Sequence, residues 1–165
     1  MERLWAPWRL DYVGRQDKED VCFLCEAARS ADDEQHLVLY RGETCFAILN
    51  RFPYNNGHLM VAPKAHKSSL AELTEQERLE HLDMIVRCQA GLTKAVRPAG
   101  FNVGLNLGAA AGAGVVGHMH WHIVPRWDGD TNFMPVLADT KVIPQALSQL
   151  YRMLREADAD RPPAD

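Results

Sequence analysis

A chain of 165 residues that is 47% hydrophobic and 24% charged can bury one core and is too short for two ordinary domains. Its formal charge of -4 and pI near 6.0 give no basic field for gripping a nucleic-acid backbone, so phosphate chemistry here would engage small ligands held locally. No apolar run approaches the ~20 residues that span a bilayer, and the opening residues, with Glu2 at once, do not read as a secretion signal; a soluble, cytoplasmic protein is expected.

In chain order, the first feature is Cys22-Phe23-Leu24-Cys25. In a reducing compartment this spacing more often means metal or redox chemistry than a stable bridge. A thioredoxin-like dithiol would need a βαβ surround that the flanking sequence lacks, and two unbonded thiols at a helix start are the plain alternative. Cys45 and Cys88 have no matching partner spacing, and Cys88 reads as a small buried thiol on an apolar stripe.

β-rich runs at residues 36–40, 44–50, 58–63, 101–107 and 118–124 predict five strands, and tight connections predict antiparallel pairing. The clearest hairpin joins the second and third runs through Arg51-Phe52-Pro53-Tyr54-Asn55-Asn56-Gly57. Thr74-Glu75-Gln76-Glu77 has the form of a capping box and opens the main helix, whose apolar stripe is read as Leu79, Leu82, Ile85, Val86, Leu92 and Val96, ending before Pro98. A second helix is expected from near Pro144, carrying Leu147, Leu150 and Leu154, with one domain over residues 1–156 and a disordered tail over 157–165. His36 and His81 fit no pattern and read as solvated. Tryptophans 5, 8, 121 and 127 read as packing before ligand stacking.

The most informative stretch is His118-Met119-His120-Trp121-His122-Ile123-Val124. Side chains alternate along a strand, so the three imidazoles point one way while Met119, Trp121 and Ile123 point the other. Unpaired buried imidazoles would each cost on the order of 1–3 kcal/mol, so three in a row imply a use. Neutral imidazole ligates zinc, and an H-x-H pair can share a metal, so spacing alone leaves a metal site open beside nucleophilic or acid–base work. Residues 108–117, which follow Asn106 and Leu107, are only Gly, Ala and Val, and their backbone N–H groups can turn toward an anion; this composition fits a phosphate cradle or simple close packing. The chain has no G-x-x-x-x-G-K-[ST], and this region offers no cluster of carboxylates suited to magnesium, so no Mg2+ site is evident and charge neutralisation would fall to imidazoles and backbone amides. A histidine with an ordinary pKa of ~6.5 offers a neutral nitrogen at pH 7 that can attack phosphorus to give a phosphoramidate, while its neighbours steady the charge or protonate the leaving group.

This row resembles the His-φ-His-φ-His-φ-φ signature of the histidine triad (HIT) superfamily, where φ is apolar. The segment from Cys45 through Asn50 and His58 to Lys64 is similar to the part of that family that holds adenosine, and Trp5-Ala6-Pro7-Trp8-Arg9 and the segment from Pro125 to Phe133 resemble its bacterial diadenosine-polyphosphate branch. The resemblance implies an α+β HIT-like fold, an antiparallel five-stranded sheet with one long helix and a C-terminal helix, and a homodimer that continues the sheet across two protomers. It also implies roles. His120 is the adenylylated nucleophile, His122 and His58 contact the phosphates, Asn50 bonds the ribose, and Asn106 with the Gly112–Gly114 turn completes the phosphate site. Where many members carry Gly-Gln-Ser or Gly-Gln-Thr before the triad, this chain has Gly112-Ala113-Gly114, which removes side-chain phosphate contacts and leaves backbone amides or a different acceptor.

Some family members with a C-x-x-C complete a tetrahedral zinc site with the histidine after Pro-Lys and the first triad histidine. By that resemblance Cys22, Cys25, His66 and His118 would hold a structural Zn2+ within residues 22–66 and the triad. Three functions follow: a nucleotidyl hydrolase or phosphorylase acting on dinucleoside polyphosphates such as diadenosine tetraphosphate; a nucleoside phosphoramidase; or a non-catalytic zinc or nucleotide-binding module. The expected partners are an adenine nucleotide substrate and a second copy of the chain, with no nucleic acid and no membrane.

Overall fold

The computed structural model describes residues 22–130 and 143–159. In chain order the elements are α1 (Phe23–Arg29), α2 (Asp33–His36), β1 (Val38–Arg41), β2 (Cys45–Leu49), β3 (Leu59–Pro63), α3 (Glu75–Val96), β4 (Gly100–Leu105), β5 (Trp121–Arg126) and α4 (Leu147–Ala159). The strands form one antiparallel sheet in the order β1-β2-β3-β5-β4, as the α+β reading expects. Trp5 and Trp8, residues 131–133 of the family-like segment and the tail beyond residue 159 lie outside the described residues.

Side-chain alternation divides the core between the two sheet faces. Cys45, Ala47 and Leu49 of β2, Leu59 and Val61 of β3, and Ile123 of β5 pack beneath α3 and α4, against Met84, Ile85, Cys88, Leu92, Leu150 and Leu154. Phe46, Ile48, Met60 and Ala62 face the other way and pack with Val38 against Leu24 and Ala27 of α1. Trp121 packs on the α3 side, as its place between two histidines predicts.

The Thr74–Glu77 capping box forms in full and starts α3. Its buried side differs from the predicted stripe. His81, Met84, Ile85, Cys88 and Leu92 face the core, whereas Leu79, Leu82 and Val86 are 60%, 52% and 61% exposed. At 100° per residue the two sets lie roughly 140° apart, so this helix carries two apolar faces that periodicity alone merges.

The helix also corrects the reading of His81 as solvated: the ring is 1% exposed. Its Nδ1–H donates to the Glu77 carbonyl at 2.7 Å, while Nε2 is buried without a hydrogen-bond partner. Burial pushes its pKa below the ordinary value. The unfolded chain therefore binds this proton first as pH falls through ~6.5, and the native state loses stability over that window. His81→Leu is expected to flatten the acid limb of thermal denaturation between about pH 6.5 and 5, read as a smaller fall in Tm with pH.

α4 continues to Ala159, past the expected start of the tail at Ala157. Tyr151 donates its hydroxyl proton to the Val38 carbonyl at 3.0 Å, Arg155 donates to the Leu39 carbonyl at 2.6 Å, and Arg87 pairs with Asp158 at 2.5 Å. These bonds tie the end of the chain to β1 and α3. No helix among the described residues is long and apolar enough to cross a membrane.

Candidate active site and metal centre

β5 begins at Trp121, so His118 and His120 lie in the segment that feeds it rather than within the strand. That segment is held by other means. Met119 donates its N–H to the Lys67 carbonyl at 2.7 Å, and the His118 Nε2 lies 2.8 Å from the Pro63 carbonyl. In the β3–β5 ladder Met60 pairs with His122, which makes His58, two residues before Met60, a diagonal neighbour of His122 on the same face.

Hydrogen-bond direction fixes the tautomer of each imidazole. A carbonyl can only accept, so the 3.0 Å contact from His120 Nδ1 to the His118 carbonyl puts the proton on Nδ1 and leaves a lone pair on Nε2. His120 is 5% exposed, and burial holds its pKa below the ordinary value, which keeps that nitrogen neutral. His58 has the opposite arrangement. The Tyr54 backbone N–H donates to His58 Nδ1 at 3.0 Å, and Asn50 Nδ2 approaches the same nitrogen at 3.3 Å, so the proton sits on Nε2. His58 Nε2–H then donates to His122 Nδ1 at 2.9 Å, and neutral His122 carries its own proton on Nε2. With the His120 and His122 rings 4.9 Å apart, the start of β5 and the residue before it place a lone pair beside an N–H donor.

Asn50 is braced by its own turn: its Oδ1 accepts the Phe52 N–H at 2.9 Å, and its Nδ2 faces His58. The Asn106 Nδ2 donates to the Gly112 carbonyl at 3.4 Å, closing the loop around a short 3-10 turn at Ala109–Ala111. Gly112 adopts φ 84°, a left-handed conformation that suits glycine. Gly114 is half-buried two residues on. Across the ladder from His122 stands Gly104, where an added Cβ would meet open space. A side chain there would fill the face in front of His122 without disturbing the core. Gly104→Val is therefore expected to keep stability within about 0.5 kcal/mol, by chemical denaturation, and to lower turnover about tenfold or more.

Sequence reasoning missed Tyr54. Its ring lies 4.6 Å from the His58 ring and 5.5 Å from the His122 ring, and it is 43% exposed. Only its position within the β2–β3 turn hinted at this, because a turn that returns the chain to His58 brings its own side chains alongside. The His118 and Pro63 carbonyls were also invisible, since backbone groups carry no residue signature.

Cys22, Cys25, His66 and His118 come together as the C-x-x-C reading and the resemblance expected, with their ligand atoms all within 4.8 Å of one another. Cys22 caps α1 and Cys25 lies on its first turn, so the helix start brings both sulfurs to one side. His118 Nδ1 lies 3.3 Å from the Cys22 Sγ and 3.4 Å from the Cys25 Sγ, and His66 Nδ1 lies 3.2 Å from the Cys25 Sγ. Metal–sulfur and metal–nitrogen bonds of about 2.3 and 2.05 Å at tetrahedral angles give an S···N edge of about 3.5 Å, close to these spacings. Donation of His118 Nε2–H to Pro63 leaves Nδ1 unprotonated and free to ligate, the outer-sphere bond expected of a metal-binding histidine. Burial, then contact with Cys22, raises the Cys25 pKa, so a cation is the natural counterpart that would hold the pair as thiolates. This Cys2His2 group can hold a metal ion.

Comparison with known proteins agrees with this geometry. The HIT domain family model matches residues 32–129. The chain is 40% identical over 169 aligned residues to an AP-4-A phosphorylase of Mycobacterium tuberculosis, covering 98% of this chain and 87% of that one. Among solved structures, a Zn-bound histidine triad family protein from Mycobacterium smegmatis superposes with TM-score 0.67 at 26% identity, over 84% of this chain and 93% of that one. A hypothetical histidine triad nucleotide-binding protein from Sulfolobus tokodaii gives TM-score 0.68 at 26% identity with the same coverage. Three histidines at alternate positions, the fourth paired with the last of them, and the matches in sequence and fold together establish that this chain belongs to the HIT domain family.

Proposed function

We propose that this protein is a nucleotidyl hydrolase or phosphorylase that cleaves a dinucleoside polyphosphate such as diadenosine tetraphosphate at the α-phosphate, through an adenylyl-His120 intermediate. The observation that carries this reading is the bond from His120 Nδ1 to the His118 carbonyl, which leaves Nε2 of a buried ring unprotonated. An AP-4-A phosphorylase with 40% identity supports the choice of substrate. In this reading His122 donates Nε2–H to a phosphate oxygen, His58 orients it, and Asn50 offers a remaining lone pair on Oδ1 to a ribose hydroxyl. Asn106 shapes the Gly112–Gly114 turn so that backbone amides meet the phosphates. Preorganised donors of this kind stabilise charge where it develops on the phosphoryl oxygens.

Cys22, Cys25, His66 and His118 are proposed to hold Zn2+ in a structural role, since all four positions are filled by protein ligands and none is left open for substrate. A homodimer is proposed as well: among the described residues β4 is an open sheet edge, and Leu79, Leu82 and Val86 form an exposed apolar stripe on α3. A cytoplasmic location accords with four free cysteines.

Trapping tests the chemistry. Mixing the protein with diadenosine tetraphosphate labelled at the α-phosphate and quenching in alkali should leave label on the protein that acid releases, as for a phosphoramidate. Absence of bound label, or its persistence in His120→Ala, would sink the proposed intermediate.

A further inference from the structure

The sheet face that carries His122 is divided in two. Over β2 and β3 it is covered by α1, where Leu24 and Ala27 pack with Phe46, Ile48 and Met60. Over β4 and β5 it is open: a Cβ added at Gly104 or Gly100 would meet nothing within 4 Å, and Asn102 and Arg126 are exposed. Alternation places Val124 and Arg126 on the same side as His122, and the β4–β5 ladder sets Gly104, Asn102 and Gly100 opposite these three in turn. The result is a shallow trough with glycine at both ends of one wall. It starts at His122 and reaches Arg126 four residues on, roughly 13 Å at the rise of a strand.

Arg126 is held in place. Its Nε and Nη2 donate to the two oxygens of Asp130 at 2.6 and 2.8 Å, and its Nη1 donates to Asn102 Oδ1 at 2.8 Å. Asp130 is steadied in turn by Asn55 Nδ2 at 2.9 Å and the Trp127 N–H at 3.2 Å. The Asp130 pair alone would staple the loop that follows β5. The Asn102 bond also pins the guanidinium across the two strands, and fixing a long exposed side chain this way costs conformational entropy.

These contacts decide what Arg126 can recognise. Each guanidinium nitrogen already donates to a protein oxygen, and a carboxylate offsets the charge, so the group is a poor grip for an anion. Its plane is another matter. The side chain is still 45% exposed, and a guanidinium fixed at its edges presents a flat face that stacks on an aromatic ring.

We propose that the β4–β5 trough is the subsite for the distal nucleoside of the substrate, whose base stacks on the Arg126 guanidinium. This rests on the nucleotidyl-transfer reading, in which Asn50 holds the first ribose and His120 meets the α-phosphate. Asn50 follows the end of β2, two strands from β5, so the first nucleoside lies on the α1 side of His122. Whatever is attached beyond the α-phosphate then continues over β5 and β4. Gly104 leaves room for the phosphates to pass, and Gly100 leaves room for a base beside Arg126. Stacking needs only a π-face, so the subsite takes any nucleobase in the distal place and favours a nucleoside there over a bare terminal phosphate.

The test measures kcat/KM for diadenosine tetraphosphate and for adenosine 5′-tetraphosphate, which has the same α-phosphate and no distal nucleoside. Their ratio within one protein cancels effects on His120 and on the first nucleoside. Arg126→Lys keeps the charge and loses the plane, and Arg126→Met loses both; each is expected to lower the ratio about tenfold, mainly through KM. Gly100→Val narrows the far end of the trough from the opposite strand and should lower the ratio by a similar factor with Arg126 intact. A wild-type ratio in Arg126→Lys would make the residue a charge contact, and an equal loss on both substrates in Arg126→Met would make it a staple of the fold. Either result, or an unmoved ratio in Gly100→Val, would overturn the inference while the nucleotidyl-transfer reading stands. If the wild type cleaves neither substrate and retains no label on His120, both fall.

Discussion

His120→Ala is expected to lower kcat on diadenosine tetraphosphate by at least about 10⁴-fold, the scale seen when a covalent nucleophile is removed, while leaving metal content and fold unchanged. The reason lies in how little else the variant disturbs. His120 is not one of the four residues of the Cys2His2 cluster, and its Nδ1–H bonds a backbone carbonyl that belongs to its own run. The lost ring leaves the His118 carbonyl facing a cavity, which costs some stability but no element of the sheet. His122→Ala is expected to be milder, at about 10²–10³-fold, because it removes a donor and not the bond-forming atom. A steady-state assay of both variants, beside circular dichroism and metal analysis, checks the ordering. Retention of a tenth of wild-type turnover by His120→Ala would assign the nucleophile elsewhere.

Cys22→Ser or exhaustive chelation is expected to be the most damaging change to stability. Metal that binds only the native state stabilises by RT ln(1 + [L]/Kd), which reaches about 4 kcal/mol when the free ion stands a thousandfold above Kd. For a chain of this size each kcal/mol moves Tm by about 2–4 °C, so a fall of about 8–16 °C should appear in calorimetry. Activity should fall too, by about tenfold, because the residue whose Nδ1 faces the two sulfurs is the one whose carbonyl holds the His120 proton. The loss should reverse when Zn2+ is returned to the chelated wild type and should not reverse in the serine variant. An unchanged Tm after removal of all metal would show that the cluster does not bear on folding.

Much of this was legible from residue type and spacing. Three histidines at alternate positions, a fourth beyond a proline- and glycine-bearing turn, and two cysteines two apart are patterns in which side-chain chemistry announces itself. The five strands and the α3 capping box follow from local sequence for the same reason. What sequence could not give depends on partners distant along the chain. Leu79 and Met84 are equally apolar, and only the sheet decides which of two faces of α3 is buried. His81 looks like a surface residue because its burial comes from that same choice. The tautomers of His58, His120 and His122 are written by the Tyr54 amide and the His118 carbonyl, atoms that every residue but proline possesses alike.

The Cys2His2 cluster also matters for the chain as a polymer. It joins Cys22 to His118, 96 positions apart. A covalent link closing a loop of about 100 residues would remove roughly 4.7 kcal/mol of conformational entropy from the unfolded ensemble. An ion bound here closes that loop in the folded chain, and it would restrict the denatured chain only while a cysteine near residue 22 and His118 both stayed bound. Unlike a disulfide, it survives thiol reductants, and it is undone by a chelator.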